Sequence, residues 1–131
     1  MSPARGGGDR ERAFVVGEDG NGRAADLAAK TLARLRRGDP APEREIDLHG
    51  LDARGAAREV RSGLSLARED GVRCVRVIHG RGLHSESGAV LRDRVTGWLT
   101  APPLAGIVLA FARSRRDGGG STLVLLRRKR P

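Results

Sequence analysis

The chain has 131 residues, enough for one well-packed domain and too few for two. Its 25 Lys and Arg stand against 16 Asp and Glu, a formal net charge of +9, and all of those cations except Lys30 and Lys129 are arginine. Arginine's planar fork matches phosphate oxygens in pairs, so the charge favours polyanionic partners. A single cysteine, Cys74, excludes an intramolecular disulfide and a cysteine-based zinc cluster.

No uncharged apolar run is long enough to span a bilayer, and the opening MSPARGGGDRERAF has no apolar signal core. The expectation is a cytoplasmic monomer with no membrane partner. Residues 1–20 combine Gly6-Gly7-Gly8 with mixed charge and read as a disordered arm. Asn21 to Arg37 reads as a helix capped by Asn21, with Ala24, Leu27, Ala28, Leu32 and Leu35 on one stripe. Gly38 stops it, and Pro40 and Pro42 make a linker, so that 21–42 is helix and linker and 43–131 is the domain proper.

From residue 43 the pattern becomes α/β. Glu45 to Leu48 is a short strand ending at His49-Gly50, and Asp52 caps a helix from Ala53 to about Asp70 with Ala56, Val60, Leu64 and Ala67 inward. Val72 to Ile78 is a near-continuous apolar strand, as expected of one covered on both faces. These three elements form a parallel βαβ unit. A loop from Arg81 to Gly88 leads to a helix over Ala89 to Leu99, with Leu91, Val95, Trp98 and Leu99 on one face. Ile107 to Ala112 and Thr122 to Leu126 are two further strands, antiparallel to each other around a basic, glycine-rich turn. The predicted fold class is a two-layer α/β sandwich: a four-stranded mixed sheet with two helices in the order βαβαββ, preceded by an N-terminal helix.

In parallel α/β units ligands meet the loops after the carboxyl ends of the strands. Asp47-Leu48-His49-Gly50 and His79-Gly80-Arg81-Gly82 each follow a strand of the one βαβ unit, so both open on the same edge. The residue types suit phosphodiester chemistry. A histidine titrates near neutral pH and can take or give the proton that such a reaction moves. Asp47, two residues from His49, can orient it; Gly50, Gly80 and Gly82 let backbone approach a phosphate; Arg81 can offset transition-state charge. Catalytic candidates are therefore Asp47, His49 and His79. Metal-ligand spacing is lacking, and no metal site is predicted. Arg113, Arg115 and Arg116 before the glycine turn, together with Arg127, Arg128, Lys129 and Arg130, read as a phosphate-binding rim. Aromatics are limited to Phe14, Trp98 and Phe111, so base-stacking platforms are not expected.

With these residues in view, the sequence resembles the Smr (small MutS-related) domain in its stand-alone bacterial form. The matching stretches include Thr31 to Gly38, Ile46-Asp47-Leu48-His49-Gly50-Leu51, Val77-Ile78-His79-Gly80-Arg81-Gly82, Val108-Leu109-Ala110-Phe111 and Leu123 to Arg128. The resemblance implies a fold similar to the C-terminal domain of translation initiation factor 3. It also implies endonuclease activity, reported in the family both as DNA nicking and as cutting of messenger RNA on stalled ribosomes. Within it, Asp47 and His49 take the cleavage role, and His79, Gly80 and Gly82 the substrate loop. The family's glycine turn and following tyrosine are compressed here to Gly118-Gly119-Gly120-Ser121-Thr122-Leu123.

The resulting expectation is an endonuclease of little sequence specificity, with RNA preferred and the ribosome as a partner. RNA cut through its own 2′-hydroxyl needs no metal, whereas DNA nicking calls for an activated water and Mg²⁺. The alternatives are a DNA-nicking enzyme and a module that binds RNA or ribosomes without cutting.

Overall fold

The computed structural model describes residues 13–80 and 86–129. Its elements are β1 (Phe14–Val16), β2 (Gly22–Ala24), α1 (Ala29–Arg36), β3 (Arg44–Asp47), α2 (Ala53–Glu69), β4 (Cys74–Ile78), α3 (Glu86–Leu99), β5 (Val108–Arg113) and β6 (Ser121–Leu126), with a short 3-10 turn over Leu104–Gly106. The six strands form one mixed sheet in the order β1-β2-β5-β6-β4-β3.

The predicted βαβαββ core is present within this sheet. β3 and β4 pair in parallel, with Asp47 opposite Ile78, while β6 runs antiparallel to both β4 and β5. Residue chemistry accounts for the local pieces. The Asp52 carboxylate accepts the Gly55 N–H at 2.8 Å and so starts α2. Ala56, Val60, Leu64 and Ala67 then repeat at helical spacing, and all four are fully buried with Val75, Val77, Val95 and Leu99. Removing the cap with Asp52→Ala is expected to cost about 1 kcal/mol, measurable as a shift of the urea midpoint at unchanged slope.

Three expectations are corrected. The sheet has six strands and not four, because residues 14–16, assigned to a disordered arm, form β1, and the segment after Asn21 forms β2. β2 pairs with β5, which would otherwise leave its backbone N–H and C=O groups unpaired at the sheet edge. Gly22 is needed there, since a Cβ on it would lie 2.6 Å from the Phe111 ring. The N-terminal helix spans only Ala29–Arg36, and Asn21 does not cap it. The Asn21 side chain instead accepts the Arg113 N–H at 2.8 Å and donates to Asp19 at 3.1 Å, fixing the turn into β2 against β5. Finally, the sheet has helices on both faces rather than one. α2 and α3 cover the face bearing Ile46, Leu48, Val75, Val77 and Val124. α1 lies over β5 and β6 on the other face, where Leu35 packs with Cys74, Ala110, Ala112, Leu123 and Leu125. Residues 13–42 thus belong to the same packed unit as the rest. The earlier part of the predicted arm, 1–12, lies outside the described residues.

Cys74 is free and buried, as its apolar setting suggested, and burial, with help from Glu43, raises its thiol pKa to about 11. Among the described residues no helix is long and apolar enough to cross a membrane.

Candidate active site and basic cleft

The carboxyl ends of β3 and β4 meet at one edge of the sheet, where the Leu48 N–H donates to the Ile78 carbonyl at 2.9 Å. The glycine turn between β5 and β6 closes this edge. The N–H groups of both His79 and Gly80 donate to the Gly120 carbonyl, at 3.1 and 2.8 Å. The two histidine motifs therefore share an edge as predicted. Their side chains do not share a face.

Alternation along β3 buries Ile46 and Leu48 and leaves Glu45, Asp47 and His49 exposed. The Asp47 carboxylate accepts the backbone N–H of His49 at 2.9 Å, so it fixes the chain at His49 rather than gripping the imidazole. Gly50 follows at φ +80°, a left-handed conformation that turns the chain toward α2. His49 is thus held by its main chain, with its ring offered to solvent just before the positive end of a helix of 17 residues.

His79 is only 5% exposed. Its Nδ1 lies 2.8 Å from the Gly80 carbonyl and its Nε2 2.9 Å from Thr122 Oγ1. A carbonyl can only accept, so Nδ1 carries the proton and Nε2 accepts from the threonine hydroxyl. Burial lowers the His79 pKa, and the positive charges of Arg113 and Arg92 act in the same direction against the Gly80 hydrogen bond and Asp117. The ring is a neutral strut with both nitrogens occupied. Both ring nitrogens of this catalytic candidate are thus engaged within the chain.

A pH dependence follows. A histidine whose folded pKa is depressed binds more protons when unfolded, so its neutral seat stabilises fully above the unfolded value near 6.5 and progressively less as pH falls below it. His79→Asn is expected to flatten the loss of melting temperature between pH 7.5 and 5.5. An acid-limb slope identical to wild type would show that His79 does not set it.

The face that carries Asp47 also carries Arg76, the one charged residue within β4 and only 16% exposed. Its guanidinium donates to Ser121 Oγ at 3.0 Å and to Ser114 Oγ at 3.4 Å, and pairs with Asp117 at 3.4 Å and Glu45 at 3.6 Å. Asp117 in turn accepts from Ser121 Oγ at 2.7 Å and from the Gly120 N–H at 2.9 Å. Burial works to raise the Asp117 pKa, but the Ser121 and Gly120 hydrogen bonds and the Arg76 charge outweigh it and hold the carboxyl below its ordinary value. The sequence reading missed this network. Its signal is Arg76 set between Val75 and Val77 in the middle of the apolar strand, where an arginine must find buried partners.

The predicted arginine rim divides. Arg115 and Arg116 lie exposed at the β5–β6 turn and line a cleft of about 530 Å³ with Arg36, Arg37 and Arg76. Arg113 is at the same edge and within 4.0 Å of Asp93 on α3. Arg127 and Arg128 follow β6, which runs from Ser121 beside Ile78 to Leu125 beside Cys74. They are at the opposite end of the sheet, roughly 17 Å away at about 3.4 Å per residue, and Arg127 pairs with Asp26 at 3.4 Å. The antiparallel run of β6 rules out a single rim. Gly80 is likewise no free phosphate donor, since its N–H is taken by Gly120. Arg81, Gly82 and Arg130 lie outside the described residues.

Known proteins agree with this architecture. The Smr domain family profile matches residues 46–127. The ribosome rescue factor SmrB of Serratia proteamaculans (strain 568) is 35% identical over 99 residues, 76% of this chain and 52% of that protein. SmrB of Yersinia pestis is 36% identical over 95 residues, 72% of this chain and 49% of that protein. The chain thus spans about half the length of these relatives. The crystal structure of YdaL, a stand-alone small MutS-related protein from Escherichia coli, superposes with a TM-score of 0.66 at 28% identity, covering 83% of this chain and 82% of that one. The Smr domain of Thermus thermophilus MutS2 gives 0.55 at 34% identity, covering 64% and 98%. Sheet, motifs and relatives converge: the chain belongs to the Smr domain family.

Proposed function

We propose that this chain is an endonuclease that cuts nucleic-acid phosphodiester bonds with little sequence specificity, RNA being the preferred substrate. The observation that carries the reading is the exposed His49, held through its own N–H by the Asp47 carboxylate, at the carboxyl edge of two parallel strands and on the face that leads to the arginine cleft. The imidazole of His49 takes the proton of the attacking 2′-hydroxyl, and the leaving oxygen takes its proton from solvent at this open edge. His79, with both nitrogens bonded, supports the loop and moves no proton.

Relatives named ribosome rescue factor support the ribosome as the setting in which RNA is met. The absence of tyrosine, the burial of Phe111 and the packing of the half-buried Trp98 against the core support recognition by backbone and shape. The second reading, DNA nicking, is favoured by the likeness to a MutS2 domain and would bring Mg²⁺ to activate a water near Asp47.

A comparison of one RNA strand with its 2′-deoxy counterpart, with and without EDTA, tests both. Cutting of RNA alone, indifferent to EDTA, is the expected result. EDTA-sensitive cutting of both strands would replace the 2′-hydroxyl mechanism with the metal-assisted one, and binding without cutting by the purified chain would leave a recognition module.

A further inference from the structure

We infer that the cleft between the end of α1 and the β5–β6 turn is a subsite for the phosphate backbone of a single nucleic-acid strand, gripping it to one side of the bond presented to His49. The inference rests on the nuclease reading for its orientation, and on the cleft itself for the ligand class. The described residues lining the cavity of about 530 Å³ include Arg36, Arg37, Arg76, Arg115 and Arg116, with Ser114 and no acidic residue among them. Its size is that of ordinary small-ligand pockets. Arg76 is neutralised by Glu45 and Asp117. The other four are exposed, and Arg36 has only a 4.0 Å approach to Asp19.

Two of the cations end a helix, where the dipole alone accounts for arginine. That account does not reach Arg115 and Arg116, which come from a hairpin turn distant in sequence and are brought against the helix end by the fold. A concave wall of one sign concentrates anions, and convergent like charges are relieved by a polyanion that replaces their counterions. No aromatic residue is among the described residues that line the cleft, so it offers cations to phosphates and no aromatic platform to bases. Arg76 ties it to the active edge, since its Glu45 partner lies on β3 two residues before Asp47. Arg36, Arg37 and the linker wall lie outside the family match at 46–127, so the segment before the family domain supplies half of the grip.

The test uses the full chain carrying His49→Ala, which keeps the probe intact, and a labelled oligouridine read by fluorescence anisotropy across a range of NaCl. Arg36→Ala with Arg37→Ala, and separately Arg115→Ala with Arg116→Ala, should each weaken binding by about tenfold or more. Each pair should also lower the slope of log K against log salt by about 1, near 0.7 per phosphate contact on a single strand. The exposed pair Arg58→Ala with Arg61→Ala on α2 is the charge-matched comparison and should change affinity less than threefold. Arg115→Lys with Arg116→Lys should restore most of the slope. If the helix pair disturbs α1, the turn pair decides alone. Equal losses in the α2 pair, or unchanged binding in natively melting cleft variants, overturn the subsite. Cleft-dependent binding by a wild-type chain that never cuts RNA keeps the subsite and removes the nuclease reading; cutting with cleft-independent binding does the reverse.

Discussion

His49→Ala is expected to lower the rate of RNA cleavage by about 10²- to 10⁴-fold, the range for loss of a positioned acid–base group. The fold should barely notice. His49 is exposed beyond the end of β3, and the Asp47 bond that shapes the turn goes to its main chain. A surface change of this kind costs within about 0.5 kcal/mol. Asp47 can be dissected further. Asp47→Ala removes both the acceptor for the His49 N–H and a negative charge two residues from His49, whereas Asp47→Asn keeps an acceptor and removes only the charge. Both should lose cleavage while retaining RNA binding, with Asn the milder because the turn is still held. Single-turnover cleavage and anisotropy on the same preparations separate these outcomes. Variants that both cut at the wild-type rate would remove Asp47 and His49 from the chemistry.

The second large effect should come from a residue that takes no part in the proton transfer. Arg76→Met is expected to destabilise the chain by about 2–3 kcal/mol, the cost of leaving half-buried polar groups without a partner. That corresponds to a fall of about 10 °C or more in melting temperature for a domain of this size. The Asp117 carboxylate is partly open to solvent, and this keeps the loss below that of a fully buried ion pair. The sign with pH is defined. Asp117 has a depressed folded pKa, so its contribution is present above the ordinary value near 3.8 and is lost as pH falls through the folded one. Arg76→Met removes one cause of that depression and should shallow the acid limb of stability. The damage should reach cleavage as well. The turn that Arg76 and Asp117 brace supplies the Gly120 carbonyl that both His79 and Gly80 lean on. Circular-dichroism melts from pH 3 to 7 check the first effect, and a melt within 1 °C of wild type would show the network to be idle.

The sequence alone determined what depends on short-range chemistry. Asp52 starts α2 and helical spacing buries Val60 and Leu64. An apolar Cys74–Ile78 run makes a strand covered on both faces, and the glycine turn joins two antiparallel strands. The pairing of the Asp47 and His79 motifs on one edge also followed, because two strands of a parallel βαβ unit end together.

What sequence could not decide hinges on register and sheet order. Three-residue strands such as β1 and β2 carry almost no periodic signal, and they form because β5 offers β2 an unpaired edge and β2 in turn offers one to β1. Asp47 is opposite Ile78, so the two histidine motifs are offset by one residue, and one histidine is buried while the other is left exposed. The direction of β6 separates Arg115 and Arg116 from Arg127 and Arg128, and the seat of α1 on the far face brings Arg36 and Arg37 to the first pair. Local residue preferences choose the elements. Only the assembled sheet fixes which faces their charges and rings share.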